Sequence, residues 1–447
     1  MFKRTIINDL AEWQKSATRK PLILSGARQV GKTWILKEFG RQYFEDTAYF
    51  SLDKDKSAKQ LFATTRDPRR LVEQLSYIHG KKIEPQNTLI ILDEIQECAD
   101  ALQSLKYFCE DAPEYPVVCA GSLLGVYLNH PNQSFPVGKV NHINMYPLTF
   151  SEFLEAKDNA AYQYYSQINS IEPLPDYFFD RLQENFTSYC ICGGMPEPAK
   201  EMIANGITNV DKTISNILSD YSSDFIKHTS PAIANKIDLI WKSLPSQLAK
   251  ENKKFVYQLV KTGARAREYE DALIWIERAG LVYKVNAVNK IGLPLKAYDD
   301  LSTFKIYCID QGILRVLAEM DASVYTQEAQ GFAEFKGALA ENYVLQSLIA
   351  QFNKTLRYWT SGNTAEVDFV LSVNNEIIPI EVKANTNTVG KSLIEYQKRN
   401  NPRLRLRFSM KNLNINGNLI NIPLFLADRT HHFLITAAQQ GILPSAV

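Results

Sequence analysis

The sequence has neither a strong charge bias nor a long apolar run. Lysine and arginine number 50 and aspartate and glutamate 49, so the net charge is +1 at pH 7. A strongly basic chain, which would suggest nucleic acid as the partner of the whole protein, is thereby excluded, and only a local basic patch could serve that role. No stretch approaches the about 18 uninterrupted apolar residues that a membrane-spanning helix needs, so no membrane association is expected.

Cysteine is scarce, and its spacing suggests neither disulfides nor a metal site. The six cysteines form no CxxC pair, and no histidine cluster lies beside them. The close pair Cys190 and Cys192 is more typical of core packing, as are the adjacent His431 and His432. The first 20 residues are charged and lack the apolar segment of an export signal. We therefore expect a cytoplasmic protein with reduced, mostly buried thiols.

The length of 447 residues predicts about two to four domains. Short apolar runs at 22–24, 88–92 and 116–120 alternate with segments of helical spacing. Continuous apolar strands separated by helices are typical of a parallel sheet that is covered on both faces. We therefore predict an α/β domain at residues 1–150, built on a parallel sheet.

Beyond this domain the pattern changes twice. Residues 151–230 are mostly helical, and we assign them as a helical lid. Residues 231–330 carry two amphipathic helices and then a strand at 281–285, an order compatible with a winged-helix-like domain. Residues 331–447 open with a helix and continue with four strands and a further helix. The prediction for this last segment is a C-terminal α/β domain.

The segment from Gly26 to Thr33, GARQVGKT, matches the phosphate-binding pattern G-x-x-x-x-G-K-[ST] without departure. It follows an apolar strand and precedes a helix, as that pattern requires. The glycines let the backbone wrap around a phosphate, and the helix N-terminus adds exposed N–H groups. We expect Lys32 to contact the β- and γ-phosphates of ATP and Thr33 to bind Mg²⁺. The expected nucleotide-binding residues are Gly26, Ala27, Arg28, Gln29, Val30, Gly31, Lys32 and Thr33.

A second apolar strand ends in the acid pair Asp93-Glu94. Asp93 would hold Mg²⁺, directly or through water, and Glu94 would orient and polarise the attacking water. The next apolar strand ends in Gly121-Ser122, where the Ser122 hydroxyl could contact the γ-phosphate or that water. Ser after Gly is also common in ordinary turns. The predicted catalytic residues are Lys32, Asp93, Glu94 and Ser122, and the predicted metal ligands are Thr33 and Asp93.

In this order the motifs resemble the AAA+ ATPase superfamily, and more closely a prokaryotic family that joins an AAA-type ATPase to a C-terminal domain of unknown function. The matching stretches cover nearly the whole chain: GARQVGKT (26–33), LIILDEIQ (89–96), AGSLLG (120–125), YPLTFSEFL (146–154), GGMPEP (193–198), the run 244–281 and EVKA (381–384). The resemblance implies a homo-oligomer, because AAA-type sites usually lie between subunits. Such proteins often have Gly-Arg before the YPL segment, where this chain has Gly138-Lys139. The arginine finger therefore stays unassigned, and Arg28 could equally bind nucleotide within its own chain.

The last segment contains the residue pattern of the PD-(D/E)XK nuclease fold. Glu341 lies on the opening helix, Asp368 on a strand, and Glu381 and Lys383 on the next strand. The three acids could hold a divalent cation that activates water, and Lys383 could stabilise the hydroxide or the developing phosphorane. Gln397 is a weaker candidate. The alternative is that Glu381 and Lys383, on one strand face, form a plain ion pair. We predict the nuclease-like fold and leave cleavage open, because folds outlive their chemistry.

Positive charge is concentrated after this motif. Glu395 is the only acid in a run of eight basic residues: Lys383, Lys391, Lys398, Arg399, Arg403, Arg405, Arg407 and Lys411. A second group precedes the helical segment 269–279: Lys253, Lys254, Lys261, Arg265 and Arg267. Either group could bind the phosphate backbone of DNA. A solvated helix face with a polar edge strand explains the first group equally well, and a solvated packing module the second.

The sequence thus favours an ATP-hydrolysing AAA-type protein that acts on duplex or branched DNA through its C-terminal domains. One alternative is a nucleotide-controlled switch or scaffold that binds protein partners. Another is an ATP-regulated, metal-dependent nuclease. Salt-sensitive DNA binding would separate the first from the switch, and nicking of DNA with Mg²⁺ or Mn²⁺ would identify the nuclease.

Overall fold

A computed structural model describes residues 2–122, 124–127, 136–250, 253–325, 333–362, 365–385 and 390–444. The chain divides into two compact units. The N-terminal unit comprises Arg4–Tyr146 and a short return segment, Arg278–Leu281. The C-terminal unit comprises Met1–Lys3, Pro147–Glu277 and Val282–Val447. The return segment had no signal in the sequence.

The N-terminal unit is built on a sheet of five parallel strands. They are β1 (Leu22–Ser25), β2 (Asp46–Ser51), β3 (Thr88–Asp93), β4 (Val117–Ala120) and β5 (Asn141–Asn144). Their order across the sheet is β2-β3-β4-β1-β5. The three central strands are the predicted apolar runs, and the parallel sheet is confirmed. Strands β2 and β5 were not predicted, because these edge strands lack a continuous apolar run: β2 has only two fully buried residues, and β5 alternates between half-buried and exposed residues.

Six helices belong to the N-terminal unit: α1 (Ile6–Lys15), α2 (Lys32–Tyr43), α3 (Lys56–Thr64), α4 (Pro68–His79), α5 (Ala99–Asp111) and α6 (Leu124–Tyr127). Helix α4 shows how the sequence sets their limits. The Asp67 side chain accepts hydrogen bonds from the first N–H groups, Pro68 occupies the first turn, and Gly80 ends the helix with a φ of 79°. A core of buried residues, including Phe50, Leu71 and Leu105, fills the unit between helices and sheet.

The C-terminal unit begins with a run of helices: α7 (Phe150–Lys157), α8 (Asn159–Ser166), α9 (Asp176–Cys192), α10 (Pro196–Asn205), α11 (Val210–His228), α12 (Pro231–Leu248), α13 (Tyr257–Val260) and α14 (Ala266–Arg278). Four more follow: α15 (Gln311–Leu317), α16 (Ala333–Phe352), α17 (Lys391–Asn400) and α18 (Thr430–Gln439). None of the described helices combines the length and the apolar character needed to span a bilayer.

Eight strands form one mixed sheet in the C-terminal unit: β6 (Val282–Val288), β7 (Asp299–Cys308), β8 (Arg357–Thr360), β9 (Glu366–Val373), β10 (Glu376–Val382), β11 (Arg405–Ser409), β12 (Asn414–Asn416) and β13 (Leu419–Pro423). Their order is β12-β13-β11-β10-β9-β8-β6-β7. Strand β6 pairs in parallel with β8, Asn286 opposite Arg357. The strands of the predicted winged-helix-like segment therefore share a sheet with those of the last segment. The four-part division of the chain remains a prediction.

One apolar cluster packs against this sheet. Val367 on β9 belongs to it together with Trp359 of β8 and Leu393 of α17. The register of β8 with β9 shifts between Arg357 and Trp359, opposite the stretch of β9 that carries Asp368. Strand β9 is antiparallel to both β8 and β10. Strands β10 and β11 are parallel. The predicted strands and helices of residues 331–447 are thus present, and their order is helix, three strands, helix, strand.

Candidate functional site

The loop between β1 and α2 folds closely against the end of β5. Gly26 has a φ of 148°, and a Cβ atom there would collide with the carbonyl oxygen of Met145. Gly31, with a φ of 99°, directly precedes α2. Both positions therefore favour glycine, for backbone conformation and, at Gly26, for space. The return segment also lies beside this loop: a Cβ atom on Gly280 would lie 3.6 Å from the backbone nitrogen of Ala27.

Lys32 is buried at the start of α2 and is held by the loop itself. Its Nζ donates hydrogen bonds to the carbonyl oxygens of Gly26, at 2.9 Å, and Ala27, at 2.7 Å. Burial lowers the pKa of Lys32 to about 8, although the nearby Glu94 and Asp93 act to raise it. The ammonium group is therefore mostly charged at pH 7. Its neutral carbonyl partners can be exchanged for phosphate oxygens without breaking an ion pair.

The Asp93 carboxylate ends β3 and accepts hydrogen bonds from neutral donors. Thr33 Oγ1 donates to Oδ2 at 2.8 Å, and the Tyr49 hydroxyl donates to the same oxygen at 2.9 Å. The backbone nitrogen of Glu94 donates to Oδ1 at 3.1 Å. Burial, together with the Asp93 carboxylate, raises the pKa of Tyr49 to about 12, so its hydroxyl stays protonated. Within the described residues, neither Asp93 nor Glu94 forms an ion pair.

Glu94 follows Asp93 with a φ of 50°, in the left-handed region that is uncommon for residues other than glycine. Its Oε2 accepts hydrogen bonds from Gln96 Nε2, at 2.5 Å, and from Ser122 Oγ, at 3.4 Å. Strand β4 lies between β1 and β3, so Ser122 follows a strand end between the loop and the acid pair. Because all five strands are parallel, these groups lie at the same edge of the sheet.

Three residues of this site had not been predicted. Tyr49 lies on the unpredicted strand β2, and Gln96 ends the matching stretch LIILDEIQ (89–96) but was given no role. The Arg4 guanidinium donates to the carbonyl oxygens of Val30, at 2.9 Å, and Tyr146, at 2.7 Å, and thereby fixes the phosphate-binding loop. Of these three residues, only Gln96 had a signal in the sequence, namely its position two residues after Glu94.

The two candidates for a finger residue differ in their surroundings. Lys139 forms an ion pair with Glu110 at 2.8 Å, so its charge is partly neutralised within its own unit. Arg28, in the phosphate-binding loop, is exposed. Neither arrangement assigns the finger.

In the C-terminal unit, Glu341 of α16 is buried and paired with a cation. Its carboxylate forms an ion pair with Lys253, and its Oε2 accepts a hydrogen bond from the Tyr307 hydroxyl at 3.1 Å. Burial acts to raise the pKa of Glu341, but the charges of Lys253 and Lys305 outweigh it, and the pKa is lowered. Sequence analysis did not associate Lys253 with this acid, because 88 residues separate the two.

For Asp368 on β9, no ion pair is found among the described residues. Its Oδ2 accepts a hydrogen bond from the backbone nitrogen of Val382 at 2.7 Å. Burial and the nearby Glu341 carboxylate raise the pKa of Asp368 to about 7. The buried Lys305 on β7 forms an ion pair with Glu366, which lies on β9 like Asp368. The carboxyl group of Asp368 is thus poorly prepared to be an anion at neutral pH.

Glu381 on β10 is buried between two cations. Arg407 Nε donates to Oε2 at 2.9 Å, and Lys383 Nζ lies 3.6 Å from Oε1. The plain ion pair considered for Glu381 and Lys383 is therefore present. Gln397 has no hydrogen bond to these acids in the part of the chain that the structure describes. Across the same residues, no group of three acidic, histidine or cysteine side chains is arranged to hold a metal ion.

The basic run after Lys383 is partly neutralised by acids that the count along the chain had missed. Arg403 Nε lies 3.4 Å from Glu376 Oε1. Arg407 on β11 and Lys383 both contact Glu381, which lies on the adjacent strand β10. Arg399 pairs with Glu395 on α17 at 2.8 Å. The concentration of positive charge is therefore smaller in the folded chain than along the sequence.

Three protein families match parts of this chain. Residues 18–154 match an AAA domain, residues 183–324 a domain of unknown function (DUF8612), and residues 336–425 another domain of unknown function (DUF4143). No curated protein matches. The N-terminal unit therefore carries an AAA domain, and two domains of unknown function follow it.

Several solved structures are similar over much of their length. The Walker-type ATPase paby2304 of Pyrococcus abyssi is 14% identical, with 71% of this chain and 96% of that chain covered and a TM-score of 0.45. The ORC2 protein of Aeropyrum pernix, in ADPNP and ADP complexes, is 14% identical, with 72% and 92% covered and a TM-score of 0.38. The ORC1 protein of the same organism, in complex with DNA, is 12% identical, with 70% and 90% covered and a TM-score of 0.26.

Proposed function

We propose that this chain binds ATP with Mg²⁺ at the phosphate-binding loop and hydrolyses it. The observation that carries the proposal is the state of its two acids. Asp93 and Glu94 accept hydrogen bonds from neutral groups, beside the buried ammonium of Lys32. The AAA-domain match at residues 18–154 supports the same activity.

Each residue has a separate role in this proposal. The backbone of residues 26–33 and the Lys32 ammonium would hold the phosphates, and Thr33 and Asp93 would hold Mg²⁺. The metal, when bound, supplies positive charge that stabilises the phosphates during transfer. Glu94 would orient the attacking water, and Gln96 and Ser122 position its carboxylate. Tyr49 and Arg4 act as positioning residues for Asp93 and for the loop.

ATP turnover of the Lys32→Ala variant tests this proposal. We expect hydrolysis to be abolished, because the loop loses the buried ammonium group that would contact the β- and γ-phosphates. The exposed Lys56 on α3 provides a matched control, and Lys56→Ala should hydrolyse ATP like the unaltered protein. Turnover that survives Lys32→Ala would contradict the assignment of the site.

We further propose that hydrolysis serves an action on duplex or branched DNA in a homo-oligomer. Lys261, Arg265 and Arg267, all exposed before or at the start of α14, and the exposed Lys391 and Lys398 on α17 support this role. ATP turnover without DNA and with linear duplex, single strand or a four-way junction tests it. Stimulation by one of them identifies the partner. If ATP turnover is the same without DNA and with each of the three DNAs, the result favours the nucleotide-controlled switch.

A nuclease-like fold for residues 331–447, without cleavage, is our proposal for the last segment. Glu341 on α16, Asp368 on β9 and Glu381 on the adjacent β10 support the fold. The cations bound to Glu341 and Glu381 argue against a catalytic metal. We expect no nicking of plasmid DNA with Mg²⁺ or Mn²⁺. Nicking that Asp368→Ala abolishes would reinstate the nuclease.

A further inference from the structure

A cavity of about 430 Å³ lies in the C-terminal unit, at the sheet face formed by β6, β8 and β9. We call it the β6–β8 pocket. Its lining carries four cationic side chains: Lys284 on β6, Lys296 in the short helical turn Leu295–Tyr298, Lys354 after α16, and Arg357 on β8. The two carboxylates of the lining are Glu277 and Asp299. None of these residues belongs to the sites described above.

Arg357 holds the walls of the pocket in place. Its Nε and Nη2 donate to the two oxygens of Asp299, at 2.8 and 3.0 Å, and its Nη1 donates to the carbonyl oxygen of Thr355 at 2.9 Å. Asp299 directly follows the turn that carries Lys296, and Thr355 directly follows Lys354. A single guanidinium group therefore joins the side chain of Asp299 to the carbonyl oxygen of Thr355, and the pair also neutralises Asp299.

The three lysines keep their charges available. Among the described residues, Lys284, Lys296 and Lys354 form no ion pair with a carboxylate, and Lys284 Nζ lies 4.4 Å from the ring centroid of Phe304. Because Arg357 and Asp299 neutralise each other, three lysines against the single carboxylate of Glu277 leave a surplus of positive charge in the lining. The lining thus favours a ligand with more than one negative charge.

The size and the remaining lining restrict that ligand further. A volume of about 430 Å³ falls within the range of about 300–1,000 Å³ that is typical of small-molecule sites. It exceeds what one inorganic phosphate needs, and it is far too small for a duplex. Leu295, Leu356 and Val370 add apolar surface beside the cations. A charged group attached to a less polar body fits this combination.

We propose that the β6–β8 pocket binds a phosphorylated ligand of about the size of a single nucleotide, either free or as the phosphorylated end of a nucleic acid strand. Lys284, Lys296 and Lys354 contact the phosphoryl group, and the leucines contact the body. Arg357 is a positioning residue, because it bonds to Asp299 and to Thr355, each of which is close in sequence to one of the lysines. This site is separate from the ATP site and does not rest on its activity.

Calorimetric titration of the full chain carrying Lys32→Ala tests the proposal, because this substitution weakens phosphate binding at the other site. The probes are AMP, adenosine, and a trinucleotide with and without a 5′ phosphate. We expect AMP or the phosphorylated trinucleotide to bind with one site per chain, and the probes without phosphate to fail. Binding of AMP alone identifies a free ligand, and binding of the trinucleotide identifies a strand end.

Substitutions in the pocket complete the test. Lys284→Gln and Lys354→Gln should each weaken binding about tenfold, because each removes a charge-assisted hydrogen bond. The exposed Lys212 on α11 is the matched control, and Lys212→Gln should leave the affinity unchanged. In the background with Lys32 intact, all three variants should hydrolyse ATP normally, which verifies folding. Failure of both phosphorylated probes to bind, or equal affinity in the pocket variants and the control, overturns the proposal.

Discussion

The carboxylates of the two acidic sites have different kinds of partner. In the N-terminal unit, Asp93 and Glu94 accept hydrogen bonds from hydroxyl, amide and backbone groups. In the C-terminal unit, Glu341 is paired with Lys253, and Glu381 with Arg407 and Lys383. Neutral donors orient a carboxylate and leave its negative charge in place, whereas a cation cancels that charge. The first site therefore keeps the negative charge that the proposed Mg²⁺ would need, whereas the acids of the second site already have cationic partners.

This difference distinguishes the candidate nucleotide site around Asp93 and Glu94 from the buried ion-pair network around Glu341 and Glu381. Both sites contain ionisable groups with shifted pKa values, and shifted values alone would select both as functional. The partners of the acids distinguish them. We expect substitutions in the first site to change turnover, and substitutions in the second to change stability.

The largest expected effect is on hydrolysis. Glu94→Gln keeps the size of the side chain but removes the charge that polarises water, and it should lower kcat by about 10²–10⁴-fold. ATP binding should remain, because the phosphate-binding loop and Asp93 are unchanged. Steady-state turnover with a parallel nucleotide-binding assay measures both.

The nearby Glu97, three residues further on, supplies a control for this prediction. Glu97→Gln should keep at least half of the turnover, because no contact joins its carboxylate to the site among the described hydrogen bonds. If Glu94→Gln hydrolyses ATP as fast as Glu97→Gln, the neutral donors around Glu94 do not mark a catalytic acid.

The second prediction concerns the stability of the C-terminal unit. Lys253→Met leaves the buried Glu341 carboxylate without its ion-pair partner, so the free energy of unfolding should fall by about 3–5 kcal/mol. The exposed Lys261→Met should change it by less than about 0.5 kcal/mol. Denaturant titration measures both variants.

A double variant sharpens this test. Adding Glu341→Gln to Lys253→Met removes the unpaired charge and should recover much of the lost stability. A Lys253→Met protein as stable as the Lys261→Met control would mean that Glu341 does not depend on a built-in cation.

The third prediction uses the pH dependence of ATP binding. The pKa of Lys32 in the free protein is lowered to about 8 by burial, and phosphates need the charged ammonium. Below pH 8 the proton is present, so affinity should vary little. Above pH 8 binding has to take up that proton, so the dissociation constant should rise about tenfold per pH unit. Titrations between pH 7 and 9.5 measure this slope, and a flat profile above pH 8 would contradict it.

The smallest expected effect is at Asp368. Its pKa is raised from 3.8 to about 7, so between these values the folded protein binds a proton that the unfolded chain releases. The free energy of unfolding therefore falls as pH rises through this window. Asp368→Asn removes this contribution, so the variant should gain stability relative to the unaltered protein between pH 5 and 8. The exposed Asp271→Asn, compared by denaturation at both pH values, should show no such gain.

The sequence predicted best those strands and motifs whose pattern has a single physical cause. Strands β1, β3 and β4 lie in the middle of a sheet, are buried on both faces and consist of apolar runs. The loop GARQVGKT and the acid pair follow such strands, so their shared position at one sheet edge could be inferred. The edge strands β2 and β5 had no such signal, and with β2 the contact between Tyr49 and Asp93 was also missed.

Contacts between distant parts of the chain were beyond prediction. Lys253 and Glu341 are 88 residues apart, and no periodicity links them. The charge count after Lys383 was similarly incomplete, because Glu376 and Glu381 are brought beside these arginines only by strand pairing. A linear sequence gives the charges of a segment but not the partners that fold against it.

The return segment Arg278–Leu281 has a practical consequence for dissecting this protein. It belongs to the N-terminal unit, where Gly280 lies beside Ala27 and the carbonyl oxygen of Arg278 lies against Gly125. A truncated fragment that stops at Tyr146 would lack this tetrapeptide and expose backbone beside its own nucleotide loop. An isolated N-terminal fragment will need those four residues supplied by a grafted linker or a circular permutation.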